Sequence, residues 1–175
     1  MPSPPRLFPV FTAAVILLGG LSSVGWAVDP APPLRVTLAG TLTLPDTAPA
    51  TNGSGELPIT GLSGVTWLGE DRFAAIMDNS DRLLLFRLAV SKSGEPEAVS
   101  DLQIVILGEH HDYEDLALCP PRLLARIAEK REARGDSIPT NCLLVCEEKT
   151  PAIRAIDLDT GDLLGIVPIP EIAKT

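Results

Sequence analysis

The sequence predicts an all-β protein, because short apolar runs of strand length recur along the chain in two groups of four. Turn residues such as Gly69-Glu70-Asp71 separate the runs. The groups also resemble each other in their letters, since Arg72-Phe-Ala-Ala-Ile-Met-Asp78 aligns with Asn141-Cys-Leu-Leu-Val-Cys-Glu147. Quartets of short strands at nearly regular spacing are typical of β-propeller blades. We therefore expect β-propeller-like four-stranded sheets, about two blades of an incomplete propeller.

The predicted elements follow in a simple order. A leading strand is expected at Leu34–Leu44, where apolar and polar residues alternate. The first quartet is then predicted at Ser63–Leu68, Arg72–Met77, Arg82–Val90 and Leu102–Leu107, and the second at Leu116–Cys119, Cys142–Cys146, Ala152–Leu158 and Leu163–Ile169. Between the first two strands of the second quartet, Pro121–Arg134 has proline near its start and apolar residues at helical spacing, which predicts one inserted helix.

The first residues are typical of a secretory signal peptide. Arg6 is the only charged residue before Asp29, residues 10–21 are mostly apolar, and small residues flank Trp26 at a cleavage point after Ala27. An uncleaved anchor is the alternative. The expected organisation is therefore a signal peptide at 1–27, a flexible lead-in with one strand and a long loop at 28–58, and a β-propeller-like segment at 59–175. This arrangement predicts a secreted or periplasmic protein.

The net negative charge of the chain indicates which classes of partner it can bind. The net charge of the whole chain is −9, and removal of Arg6 with the signal peptide makes it −10. Binding to nucleic acid or to an anionic membrane needs concentrated lysine and arginine. We therefore expect no nucleic-acid partner and no membrane contact after cleavage.

The chain has three cysteines, and export permits disulfides. Cys142 and Cys146 are roughly 13 Å apart along an extended strand, too far to bond each other. If residues 115–119 pair antiparallel with residues 142–146, a register with Cys119 opposite Cys142 places Cys146 opposite Asp115. This register predicts a Cys119–Cys142 disulfide that closes the helical insert, with Cys146 as a small buried residue.

Carboxylates gather at the predicted strand ends. In an up-and-down sheet, successive turns fall on alternate edges, so these acids are expected on one face of the molecule. Ionised groups must be solvated, paired or bound to a cation, and oxygen ligands at variable spacing suit calcium. The predicted metal ligands are Asp78, Asp112, Glu114, Asp115, Glu147 and Glu148. The alternative is a set of solvated loop acids, and no EF-hand loop is present.

Patterns typical of catalysis are scarce. The sequence has no Gly-x-Ser-x-Gly motif, P-loop, dinucleotide fingerprint or zinc motif. The two histidines, His110 and His111, are adjacent and point apart in an extended chain. They are interpreted as polar loop residues, with a base beside Asp112 as the alternative.

Several segments together resemble a known family. They are Leu62-Ser-Gly-Val-Thr-Trp67, Arg72-Phe-Ala-Ala-Ile-Met-Asp-Asn79, Arg82-Leu-Leu-Leu-Phe-Arg-Leu88, Asp112-Tyr-Glu-Asp-Leu-Ala117 and Cys146-Glu-Glu-Lys-Thr-Pro-Ala-Ile-Arg154. Over residues 60–170 the chain resembles the opening blades of the phytase-like, or "esterase-like activity of phytase", family of exported proteins. The positions that match are Asp78, Asp112, Glu114 and Glu147, whereas Asp115 stands where glycine is common in that family.

The resemblance implies an exported, propeller-like protein that hydrolyses phosphate or carboxylic esters. Together with the predicted calcium ligands, it suggests calcium-assisted hydrolysis by the protein in its complete form. Its substrate would be a small anionic or ester compound. Two alternatives remain at this point: a non-catalytic extracellular binding module, and a lactonase-type propeller enzyme that also uses a metal held by carboxylates. None of these patterns predicts an oligomeric state.

Overall fold

The computed structural model describes residues 37–51, 53–78 and 80–168. The predicted signal peptide and the beginning of the predicted leading strand, residues 34–36, lie outside these residues. Within them the chain is antiparallel β-structure with one helix, so the all-β prediction is confirmed. No helix of the described segments is long and apolar enough to cross a membrane.

The described residues form ten strands and one helix. In chain order they are β1 Thr47–Pro49, β2 Glu56–Pro58, β3 Leu62–Gly69, β4 Arg72–Met77, β5 Ser80–Val90, β6 Pro96–His111, β7 Tyr113–Leu118, α1 Pro121–Glu132, β8 Cys142–Glu147, β9 Ala152–Asp157 and β10 Leu163–Val167. Every strand of the two predicted quartets is present, and the helix lies where its proline and apolar spacing placed it.

The two quartets form two separate sheets. Their strand orders are β3-β4-β5-β6 and β7-β8-β9-β10, so each sheet is an up-and-down meander in which sequential strands are neighbours. Short turns connect most of these strands, which is the simplest way to join antiparallel neighbours. The helix is inserted in the connection from β7 to β8, as predicted.

Strand β6 is much longer than the sequence predicted. It pairs with β5 from Val90↔Pro96 to Ser80↔His111, and the register shifts at several points along the way. Apolar residues are concentrated in residues 102–107, so periodicity detected only that part. The rest is strand because the neighbouring β5 supplies backbone partners even where the side chains are polar.

The lead-in differs from the prediction. Residues 37–44, the described part of the predicted leading strand, have no regular structure, whereas the predicted loop contains the short β1–β2 pair. Ala48 is buried on β1, and Ala50 makes a parallel bridge to Ile104 of β6. Contact with the first sheet, rather than local alternation, therefore decides which residues become extended.

The main hydrophobic core lies between the two sheets. Ala74, Leu83 and Val105 of the first sheet pack with Leu143 and Ile156 of the second. These side chains are on alternate positions of their strands, as expected for sheets that bury one common face. Because the two sheets share this core, their strand ends are held in fixed positions relative to one another.

Each sheet also has a second apolar face, and each of these is covered in part by a different element. The β1–β2 pair covers the first sheet around Met77 and Leu84. Helix α1 covers the second sheet around Cys119 and Cys142, using partly buried Leu124. The lead-in and the insert are thus packed parts of the fold.

Candidate metal centre

Strands β3 and β7, at one edge of each sheet, lie side by side. The Ser63 hydroxyl donates a hydrogen bond of 3.4 Å to the backbone oxygen of Tyr113. A Cβ placed on Gly64 would lie 2.8 Å from the Cα of Asp115, so the two backbones are nearly in contact. This close approach brings the residue that follows β4 next to the beginning of β7.

Three carboxylates meet at this place. Asp78 follows β4, Asp112 lies between β6 and β7, and Glu114 lies on β7. One carboxylate oxygen from each can be chosen so that all three lie within 4.8 Å of one another. Asp78 and Asp112 are partly buried and Glu114 is exposed, so the group is open to solvent on one side. We call these three residues the acidic cluster.

Glu114 is repelled by the acidic side chains around it. Desolvation, followed by repulsion from Asp78, Glu148 and Asp112, raises the pKa of Glu114 above its usual value. A bound cation would remove the repulsion among these carboxylates.

One amino group already lies beside the acidic cluster. The Lys149 ammonium is 3.3 Å from Oδ2 of Asp112, whose side chain is 9% exposed, whereas the lysine side chain is 72% exposed. The backbone N–H of Glu148 also donates to the backbone oxygen of Asp112 at 3.0 Å, which fixes this loop against the end of β8. Lys149 therefore neutralises part of the charge from a solvent-exposed position.

The six predicted ligands do not all converge. Asp78, Asp112 and Glu114 form the acidic cluster, and Glu148 lies near enough to help raise the pKa of Glu114. Asp115 pairs with Cys146 and accepts a hydrogen bond from the backbone N–H of Leu116. A register shift between Tyr113 and Asp115 gives Glu114 and Asp115 different surroundings although they are adjacent in the chain.

Glu147 belongs to a different group. Its side chain is 4% exposed, and one oxygen lies 3.0 Å from the Arg154 guanidinium while the other lies 3.1 Å from Nδ1 of His111. Glu109 completes the group, at 2.8 Å from Nε2 of His111 and 3.1 Å from Arg154. Glu147 is thus paired with the Arg154 cation and hydrogen-bonded to His111, which makes it a poor candidate for a metal ligand.

Sequence reasoning missed Glu109 and Arg154. A signal for Arg154 was present, since it is an arginine at a core-facing position of an apolar strand and so needs a carboxylate partner. No pattern in the sequence indicated which carboxylate would supply that partner. His111 also differs from the loop residue predicted, because it ends β6 and both its ring nitrogens face carboxylates.

The cysteines confirm the predicted register. Asp115 pairs with Cys146, and the backbone N–H of Cys119 donates to the oxygen of Cys142 at 2.9 Å. Two parts of the prediction are not found in the structure. All three cysteines are free thiols, and Cys146 is exposed rather than buried. Cys146 faces away from the other sheet, at the end of β8 that is far from helix α1, so no element packs over it.

Comparisons of this chain with protein families, curated proteins and solved structures found no match.

Proposed function

We propose that this protein is a calcium-binding module with a β-propeller-like fold, and that the acidic cluster holds the ion. The observation that carries the proposal is the convergence of three carboxylates from separate segments within 4.8 Å. Repulsion within such a group costs free energy that a divalent cation removes. Glu148 is the natural fourth ligand, because its charge lies near enough to help raise the pKa of Glu114.

The donor set favours calcium among the biological cations. Carboxylate oxygens suit hard cations, whereas zinc and copper sites in proteins usually include histidine or cysteine. Calcium accepts 6 to 8 oxygens in flexible geometry, and the exposed side of the acidic cluster leaves room for water ligands. Magnesium demands near-ideal octahedral geometry, for which three carboxylates from separate segments are less suitable.

The fold supports the propeller interpretation. Two four-stranded meanders pack face to face, and their first strands β3 and β7 are neighbours, as are the inner strands of adjacent propeller blades. The acidic cluster lies at the junction of the two sheets, at one end of β3 and β7. An ion at this position would cross-link the sheets, which gives it a structural role in addition to any role in ligand binding.

We propose binding rather than catalysis as the activity of the described residues. Ester hydrolysis needs a base or nucleophile near the ion. The one partly buried imidazole in this region, that of His111, has both nitrogens engaged by Glu109 and Glu147. Calcium-assisted hydrolysis of a phosphate ester, as the family resemblance implies, remains the second candidate, because a bound calcium would let this acidic surface bind a phosphate group.

Calcium titration of the purified protein tests the first proposal. A ligand that binds only the folded state raises the free energy of unfolding, by about 2.7 kcal/mol at 100 times its Kd. We expect calcium to stabilise the wild type in this way, and Asp78→Asn and Glu114→Gln to abolish the effect. Glu97→Gln is the matched control, because Glu97 is an exposed acid on β6 outside the acidic cluster and its replacement changes the charge equally.

A further variant is expected to strengthen calcium binding rather than weaken it. Lys149→Gln removes the ammonium beside Asp112, so calcium should bind several-fold more tightly. Stabilisation that is equal in wild type and Asp78→Asn would exclude the acidic cluster as the binding site. If calcium binds, release of phosphate from a chromogenic phosphate monoester then distinguishes the hydrolase from the binding module.

A further inference from the structure

Helix α1 is attached to the rest of the fold by a small apolar contact. Its residues Leu123, Leu124 and Ile127 are only partly buried, and no residue of the helix is fully buried. The N-terminal residue Pro120 makes no side-chain capping hydrogen bond. The helix and its flanking loops span the chain between Cys119 and Cys142, so the two ends of the insert are the two cysteines.

These two cysteines are side by side beneath the helix. Cys119 directly follows β7 and Cys142 begins β8, with a backbone hydrogen bond of 2.9 Å between them. Both are buried, at 5% and 1% exposure, and each thiol lies near enough to influence the pKa of the other. Neighbouring residues of adjacent antiparallel strands have the Cα separation that a disulfide requires.

We propose that Cys119 and Cys142 are a cross-linking site, and that their oxidation to a disulfide locks helix α1 onto the outer face of the second sheet. The two thiols lose two protons and two electrons to a disulfide-containing oxidant such as glutathione disulfide, which is reduced to two thiols as the new S–S bond forms. The inference does not depend on calcium binding, since the acidic cluster is on other residues.

The bond must form before the helix covers the thiols. Burial raises the pKa of Cys142 to about 12 and raises the pKa of Cys119 as well. The thiolate is the attacking species in disulfide exchange, so the folded thiols react slowly with an oxidant. The same burial protects the finished disulfide from reductants. Oxidation during folding therefore cross-links the two ends of the insert, whereas a chain that folds reduced keeps two buried thiols.

Refolding of the whole chain with a mixture of reduced and oxidised glutathione tests the proposal. Peptide mapping without reduction should find residues 119 and 142 in one linked pair of peptides, with Cys146 free. Cys146→Ser is the matched control and should form the same link, whereas Cys119→Ser should not. A link that includes Cys146, or no internal link after refolding, overturns the proposal.

Two further measurements test whether the Cys119–Cys142 disulfide holds helix α1 in place. Constraint of the insert should raise the Tm of the oxidised protein by roughly 10 °C over the reduced one. Trypsin, which cleaves after Arg126, Lys130 and Arg131 within the insert, should cut the oxidised protein many-fold more slowly. Equal cleavage of the oxidised and reduced proteins would show that the cross-link does not hold the helix. These comparisons use the wild type alone, so they remain decisive if Cys119→Ser fails to fold.

Discussion

Arg154 and Glu147 form an ion pair inside the interface between the sheets, with side chains that are 10% and 4% exposed. A buried ion pair often adds little net stability, because desolvation offsets the attraction, but removal of one partner leaves an unpaired buried charge. The His111 ring bridges this pair to Glu109, and the hydrogen bond from His111 lowers the pKa of Glu109.

Tyr113 lies next to this group and is 1% exposed. Its ring meets the edge of the His111 ring, with centroids 5.5 Å apart, and its hydroxyl donates to the backbone oxygen of Glu109 at 3.4 Å. Burial, together with the negative charges of Glu109 and Glu147, raises the pKa of the phenol to about 12, although Arg154 opposes the shift.

Tyr113 is the only tyrosine of the chain, so its ionisation can be followed directly by ultraviolet absorbance. We expect the phenolate of the folded protein to appear near pH 12. In urea it should appear near pH 10, the ordinary tyrosine value. Because the folded state holds the proton more tightly, stability is fully present below about pH 10 and falls as the pH rises towards 12. Titration near pH 10 in the folded protein would show that the ring is solvated.

At the scale of elements, the contact between β3 and β7 determines whether the acidic cluster can form. Glu114 lies on β7, whereas Asp78 follows β4, which is paired with β3. Gly64 permits the approach, because a Cβ there would lie 2.6 Å from Oδ1 of Asp115 and 2.8 Å from its Cα. Backbone atoms cannot rotate away as a side chain can, so a larger residue would displace β7.

Gly64→Ala should therefore separate the two strands. We expect a loss of about 1–3 kcal/mol in the free energy of unfolding, which is typical of overpacking. Weaker calcium binding should accompany this loss, since β7 carries Glu114. Gly108→Ala is the control, because a Cβ on Gly108 meets no atom within 4 Å. Urea unfolding and calcium titration measure both effects, and equal results for the two variants would contradict this account of the contact.

At the scale of the whole molecule, the two sheets share one core. Leu143 is fully buried and packs in the cluster that also contains Leu83 and Val105 of the other sheet. Neither sheet can cover its inner face by itself, so the loss of one exposes the other to water. This interdependence predicts one cooperative unfolding transition for both sheets.

Leu143→Ala should destabilise both sheets together by about 2–5 kcal/mol, the usual cost of deleting a buried leucine side chain. Leu118→Ala is the matched control, because Leu118 is 44% exposed on the neighbouring strand and should cost about 1 kcal/mol or less. Hydrogen exchange measures the two sheets separately. Loss of protection confined to β7–β10 would show that the sheets unfold independently.

Much of the fold could be predicted because its signals are local. Turn residues such as Gly69-Glu70-Asp71 and alternation within residues 82–88 mark strands without reference to other parts of the chain. Prediction of strands from local patterns fails at residues 37–44, where an alternating pattern forms no strand. An extended segment becomes a strand only when a neighbour supplies backbone hydrogen bonds, and no pattern of side chains specifies that neighbour.

The sequence by itself determined the two meander quartets, the inserted helix, the register of Cys119 with Cys142 and the edge at which Asp78, Asp112 and Glu114 lie. Each follows from periodicity, turn chemistry or strand order, which are properties of neighbouring residues. Only the tertiary structure decided that Glu147 pairs with Arg154 and His111 instead of joining the acidic cluster. The physical reason is that a carboxylate at a strand end is neutralised by whichever cation packing brings nearest, and that distance depends on how two sheets meet.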